Sequence, residues 1–149
     1  MIITPDISKD ILNILRSQSV FFIDTETTGL YPYNGDKLFS IGIGISSGKT
    51  YYFPFRHKYL NSINLSEDVL KELIDIFNQP SLTLIGYNIK FDLHMLLKEG
   101  LYPWDKDLID VLVAVRLTED DRIFKMGLKD IIDKDYGVEN SSYNSQTKE

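Results

Sequence analysis

Four large apolar residues, Val20-Phe21-Phe22-Ile23, run without a break into Asp24-Thr25-Glu26. So short an apolar run suits a strand better than a helix. The strand must deliver two carboxylates, two residues apart, to its own end. Alternation along a strand then points both side chains the same way. The polar segment that follows, residues 24–29, reads as flexible, and Gly29 would let backbone come close to a ligand. Whatever fold forms must accommodate this acidic strand end, opening onto a crevice at the strand's carboxyl side.

The rest of the chain supplies a sheet and its cover. Thr4-Pro5-Asp6 has the form of a helix start, and Ile7, Ile11, Ile14 and Leu15 recur at helical spacing. Residues 38–45 and 50–55 read as strands joined by the turn Ser46-Ser47-Gly48-Lys49, giving an antiparallel block with the first strand. Residues 56–64 look irregular. Ser66 can cap a helix with Glu67 and Asp68 in its first turn and Val69, Leu70, Leu73, Ile74 and Phe77 as its apolar stripe. A fourth strand is expected at 82–85, and a helix capped by Asn88, buried through Phe91, Met95 and Leu96, and stopped at Gly100. A fifth strand is expected at 106–109, a buried helix from Asp110 to Leu117, and a last short helix around Leu128, Ile131 and Ile132. Residues 139–149 are polar and read as surface loop or linker. The expectation is one α/β domain over residues 1–149, built on a mixed five-stranded sheet with helices packed on it.

Composition narrows the chemistry. The absence of cysteine excludes disulfides and thiolate metal sites. No run of about eighteen apolar residues suggests a membrane span, and the start Met1-Ile2-Ile3-Thr4-Pro5-Asp6 lacks the pattern of a secretory signal. A cytoplasmic location is expected. The net charge of −6 predicts no long-range attraction to nucleic acid. Local cations, Arg56-His57-Lys58 or Arg122, Lys125 and Lys129, can still meet phosphate, although surface charges of this kind are commonly just solvated. There is no G-x-S-x-G elbow and no G-x-x-x-x-G-K-[ST] loop. Gly42 and Gly44 lie inside a strand pattern and form no phosphate cradle.

Two carboxylates side by side repel, and each raises the other's pKa unless something compensates. A divalent cation does so, and oxygen-only ligation favours magnesium or manganese over structural zinc. Asp24 and Glu26 are thus candidate metal ligands, with a solvated strand end as the plainer reading. Asp92 is the natural third member, in or near the first turn of the helix after the fourth strand; an acid favouring the helix dipole is its plainer reading. His94 is turned about 200° from Asp92 around that helix and is not expected as a ligand.

The segment Asp24-Thr25-Glu26-Thr27-Thr28-Gly29-Leu30 resembles the first motif of the DEDD exonuclease superfamily, most of all the proofreading domains of DNA polymerase I-type enzymes. Gly86-Tyr87-Asn88-Ile89-Lys90-Phe91-Asp92 resembles the second motif, and Asp110 with its apolar helix and Gly127-Leu128-Lys129-Asp130-Ile131 resemble later family segments. The resemblance implies a ribonuclease H-like fold and two Mg2+ or Mn2+ ions in an intact site. It also implies release of nucleoside monophosphates from the 3' end of single-stranded DNA, with a polymerase domain in the same polypeptide as partner and no membrane. Asp24 would bridge the ions, Glu26 would bind the one beside the attacking water, and Asp92 the other. Thr27, Thr28 and Leu30 would meet the terminal nucleotide, Asn88 and Lys90 its phosphate, and Asp110 would act in support. The family's third motif, a tyrosine or histidine shortly before an aspartate, is not found in these residues. The chain is therefore expected to be a fragment whose exonuclease domain is incomplete at the C-terminus. A degenerate domain used for nucleic-acid or protein binding, completion of the site by another segment or chain, and an RNA exonuclease of the same superfamily are the other readings.

Overall fold

A computed structural model describes residues 1–58, 63–118, 127–129 and 131–132. Residues Met1–Val111 form one compact unit and Leu112–Glu149 another. The first contains the sheet. Its elements run α1 (Pro5–Leu15), β1 (Val20–Thr27), β2 (Leu38–Ile45), β3 (Thr50–Pro54), α2 (Glu67–Phe77), β4 (Thr83–Gly86), α3 (Ile89–Lys98) and β5 (Asp107–Asp110). The five strands lie in the order β3-β2-β1-β4-β5. β1 to β3 pair antiparallel, and β4 and β5 continue parallel to β1. This is the mixed sheet, hairpin block followed by parallel strands, that the sequence pattern predicts.

β1 takes the central place, paired with β2 on one side and β4 on the other. Phe21, Ile23 and Thr25 point into the core, and Phe22, Asp24 and Glu26 point the other way and are exposed. α2 lies against the core side, where Phe21 meets Phe77 edge to face at 5.2 Å. α1 adds Ile11, Leu12 and Leu15 to the same core, and α3 adds Ile89, Met95 and Leu96. The outer edge of β3 is paired with the N-terminal segment through Ile3 N to Tyr52 O and Tyr52 N to Met1 O, both 2.9 Å, so this edge is not left open.

The boundaries depart from expectation in instructive ways. β1 does not stop at Ile23 but carries the acids within it, as far as Thr27, because β2 pairs along that whole length. The register slips between Glu26 and Thr27, and Phe39 on β2 is the residue passed over. Thr4 precedes α1 in extended conformation yet makes no capping bond, whereas Ser66 does cap α2 through the Val69 N–H. The apolar segment after Asp110 is a helix, α4 (Val111–Thr118), but none of its residues is buried. The pattern gave the helix and not its cover. Leu128, Lys129, Ile131 and Ile132 are helical, with Ile131 N bonded to Gly127 O at 3.2 Å. The predicted tail, 139–149, and Arg122 and Lys125 lie outside the described residues. No helix among the described residues is long and apolar enough to cross a membrane.

Arg56 gives residues just past β3 a fixed form. Its guanidinium donates to Glu67 Oε1 and Oε2 at 2.9 and 2.8 Å, to Glu99 Oε1 and Oε2 at 2.8 and 3.1 Å, and to the Leu38 carbonyl at 3.0 Å. It thereby joins the start of α2, the end of α3 and the start of β2. The bonds raise its already high pKa, Glu99 first and Glu67 second. Its charge is spent inside the protein, so it is not the phosphate contact that its sequence neighbourhood suggested. Arg56→Met should cost about 1–2 kcal/mol, read as a lowered midpoint in urea at unchanged slope.

Candidate active site

The site grows from the point where β1 outruns β4. β4 pairs with β1 only at Val20 to Phe22, ends at Gly86, and hands over to α3. A side chain at 86 would press to 3.0 Å from Ile89 and 3.2 Å from the Ile23 carbonyl, so glycine lets the helix begin this near β1 without pushing either aside. Beyond Gly86 the Thr25 N–H has no partner from β4. Asp92, in the first turn of α3, takes it: Oδ1 accepts from Thr25 N at 2.8 Å and from Thr25 Oγ1 at 2.6 Å. The third acid is thus tied to the residue between the other two.

Asp24 and Glu26 stand on the exposed face, across from Gly42 and Ser40 of β2. Neither forms an ion pair with lysine or arginine among the described residues. Burial raises the Asp24 pKa. Glu26 is raised by burial and then by the charge of Asp24, with His57 nearby acting in the opposite sense. Asp92 is only 4% exposed, and its pKa rises to about 6. Burial is the main cause, the Thr25 bonds oppose it, and the Asp24 charge adds to it. Among the described residues no group of three or more histidine, cysteine or acidic side chains is gathered so as to hold a metal ion. The arrangement is an outward carboxylate pair with a third carboxylate hydrogen-bonded just behind it. Oxygen donors, like charge and the lack of a lysine or arginine partner among the described residues fit a hard divalent cation at the pair.

The other sequence candidates fall around this point. Thr27 ends β1 and its Oγ1 donates to Gly29 O at 2.8 Å. Thr28 pairs Oγ1 with Asp36 at 3.3 Å and with the Lys37 N–H at 2.9 Å. Leu30 is 71% exposed, and Lys90 is exposed at the start of α3. Asn88 occupies the position before α3 but is left-handed, at φ 57°, and its side chain makes no capping bond. Its backbone N–H donates instead to Asp110 Oδ1 at 2.9 Å, so Asp110 supports the turn that leads to Asp92. Gly29 also leaves room for the Asp36 carboxylate: a Cβ there would fall 2.4 Å from it, so Asp36 would have to move.

Several residues escaped the sequence reading. Thr25 is the partner of Asp92, and strand alternation alone would have turned it away from the acids. His57 bonds Tyr52 Oη through Nε2 at 2.8 Å and lies edge-on to Phe39 at 4.8 Å, near Glu26. Ser40, opposite Glu26, is fully buried and its hydroxyl has no hydrogen-bond partner among the described residues. No sequence signal distinguishes it from any other small strand residue.

The Asp92 pKa has a consequence with a definite sign. A carboxyl raised from 3.8 to about 6 on folding binds more protons when folded, so its contribution to stability falls as pH rises from about 4 to 6 and stays low above that. The full difference corresponds to about 3 kcal/mol. In metal-free buffer at pH 8, Asp92→Asn should therefore raise stability by about 1–3 kcal/mol. At pH 4 the two proteins should unfold alike, as read by urea titration.

A family model described as 3'-5' exonuclease matches residues 1–148. The chain is 33% identical over 105 residues to DNA polymerase DpoZ of Salmonella phage PMBT28, covering 70% of this chain and 14% of that protein. It is 34% identical over 79 residues to DNA polymerase DpoZ of Acinetobacter phage SH-Ab 15497, covering 53% of this chain and 11% of that protein. The chain thus spans about one seventh or less of the curated relatives it matches. Among solved structures, Brucella melitensis NrnC bound to pGG matches with TM-score 0.64 and 24% identity over 85% of this chain and 57% of that one. The S. pombe Pop2p form with bound Mg2+ and Mn2+ matches with TM-score 0.68 and 16% identity over 89% and 80%. The fold is theirs, and with the family match over nearly the whole length, the chain belongs to the 3'-5' exonuclease family, in the DEDD type related to DNA polymerase I-type proofreading domains.

Proposed function

We propose that this chain is the exonuclease part of a DNA polymerase, a divalent-metal-dependent domain that releases nucleoside monophosphates from the 3' end of single-stranded DNA. The family match and the two phage polymerase relatives support the assignment. The observation that carries it is the outward pair Asp24 and Glu26 with Asp92 hydrogen-bonded to the residue between them. In this reading Asp24, Glu26 and Asp92 hold Mg2+ or Mn2+. The ions, when bound, polarise the scissile phosphate, lower the pKa of a water and stabilise the departing 3' oxygen.

The chain's own residues do the rest. Asp24 and Glu26 present their charge outward from a central strand, which holds both side chains at fixed separation. Thr25 keeps Asp92 aimed at that strand. Thr27, Thr28 and Leu30 meet the terminal nucleotide. Leu30 offers an apolar surface that suits any base, which a sequence-blind enzyme requires. Asn88 and Lys90, exposed at the start of α3, face the phosphate. A fourth carboxylate remains unassigned in this chain.

The test is 3'-end digestion of labelled single-stranded DNA, with a matched RNA strand alongside. Stepwise shortening should require Mg2+ or Mn2+ and stop with EDTA. Asp24→Ala and Glu26→Ala should each lower the rate at least about 100-fold, as expected for direct ligands. Digestion indifferent to both substitutions would refute the assignment, and faster digestion of RNA would move the substrate from DNA to RNA.

A further inference from the structure

The loop joining β1 to β2 displays its largest side chains to water. Tyr31 is 67% exposed and Tyr33 is 70% exposed, beside Leu30. A loop free to rearrange would turn such surface inward. This one is held from several sides. The Asp36 carboxylate accepts from Tyr31 N at 2.9 Å and pairs with Thr28 Oγ1. Lys98 Nζ donates to the carbonyls of Pro32 and Asp36. Pro32 is buried. Tyr33 Oη bonds His94 Nδ1 at 2.8 Å, and the two rings meet edge to face at 5.5 Å. His94 and Lys98 are four apart on α3, so one face of the helix that carries Asp92 also anchors the loop. The Tyr33 ring is thereby held in the open by His94, and the exposed Tyr31 ring is carried on backbone anchored through its N–H, both on the segment that continues from Glu26.

Charge explains why such rings are useful here. The chain carries −6, Asp24 and Glu26 repel phosphate, Arg56 is committed to two glutamates, and Lys98 is committed to loop carbonyls. Lys90 offers one exposed cation to the phosphate against this balance, so stacking of the bases adds hold that charge alone supplies weakly. Aromatic rings do this without regard to sequence.

We propose that Tyr31 and Tyr33 form a stacking platform for the bases just upstream of the 3' end of a single DNA strand. The platform rests on the exonuclease reading for the placement of that end, and its test avoids catalysis. Fluorescence anisotropy with EDTA present measures the affinity of the full chain for a labelled twelve-nucleotide oligodeoxyadenylate and for an abasic strand of equal length. The wild type should prefer the strand with bases. The double substitution Tyr31→Ala/Tyr33→Ala should weaken binding of that strand by about 10- to 100-fold and leave the abasic strand nearly unaffected. Tyr33→Phe, which keeps the ring and removes the bond to His94, should stay within about threefold of wild type on the strand with bases. Equal losses on both strands, or no loss on the strand with bases, would overturn the platform. Because no metal is present, a platform that holds while the digestion assay fails would isolate the fault in the exonuclease reading, and the converse would isolate it here.

Discussion

One carboxylate oxygen organises the site. Asp92 Oδ1 accepts both the N–H and the hydroxyl of Thr25, at 2.8 and 2.6 Å. β4 is short, and its end leaves a central strand with a donor unmet. A buried donor of that kind must be matched. The helix after β4 supplies the match with an acid. Helix, strand and all three carboxylates are fixed relative to one another by this contact. Gly86 permits it by letting α3 begin against β1, and Asp110 steadies the turn in between.

The same contact is electrostatically expensive. Asp92 is nearly buried, lies close to the charge of Asp24, and is left with a pKa of about 6 in spite of two favourable hydrogen bonds. Asp24 and Glu26 are raised as well. Carboxylates that each destabilise one another's charged form make a poor structural feature and a good seat for a cation. Stability given up at a site of this kind is the usual mark of a function that needs it.

The sheet was legible because its strands are short apolar runs separated by turn residues, and the helices because their apolar residues repeat at helical spacing. The acids at 24, 26 and 92 were legible from strand period and helix position, and their motif likeness gave the family. What was not legible depended on contacts distant in sequence. Thr25 meets a partner 67 residues away, Tyr33 one 61 away, and Arg56 one 43 away. Arg56 read as a surface cation because local composition cannot reveal that two glutamates converge on it. The closeness of the Asp36 carboxylate to Gly29 was not legible because it belongs to the fold of the loop rather than to a motif.

The slipped register at the end of β1 has its own consequence. Phe39 is the extra residue on β2; its carbonyl takes the N–H groups of Phe55 and Arg56, and its ring turns to His57. An unmatched residue at this spot absorbs a change of parity. Insertions or deletions of a single residue in the connecting loop can be taken up there without rotating the two acids into the core. The hairpin can therefore vary its tip while the strand that carries Asp24 and Glu26 keeps its facing.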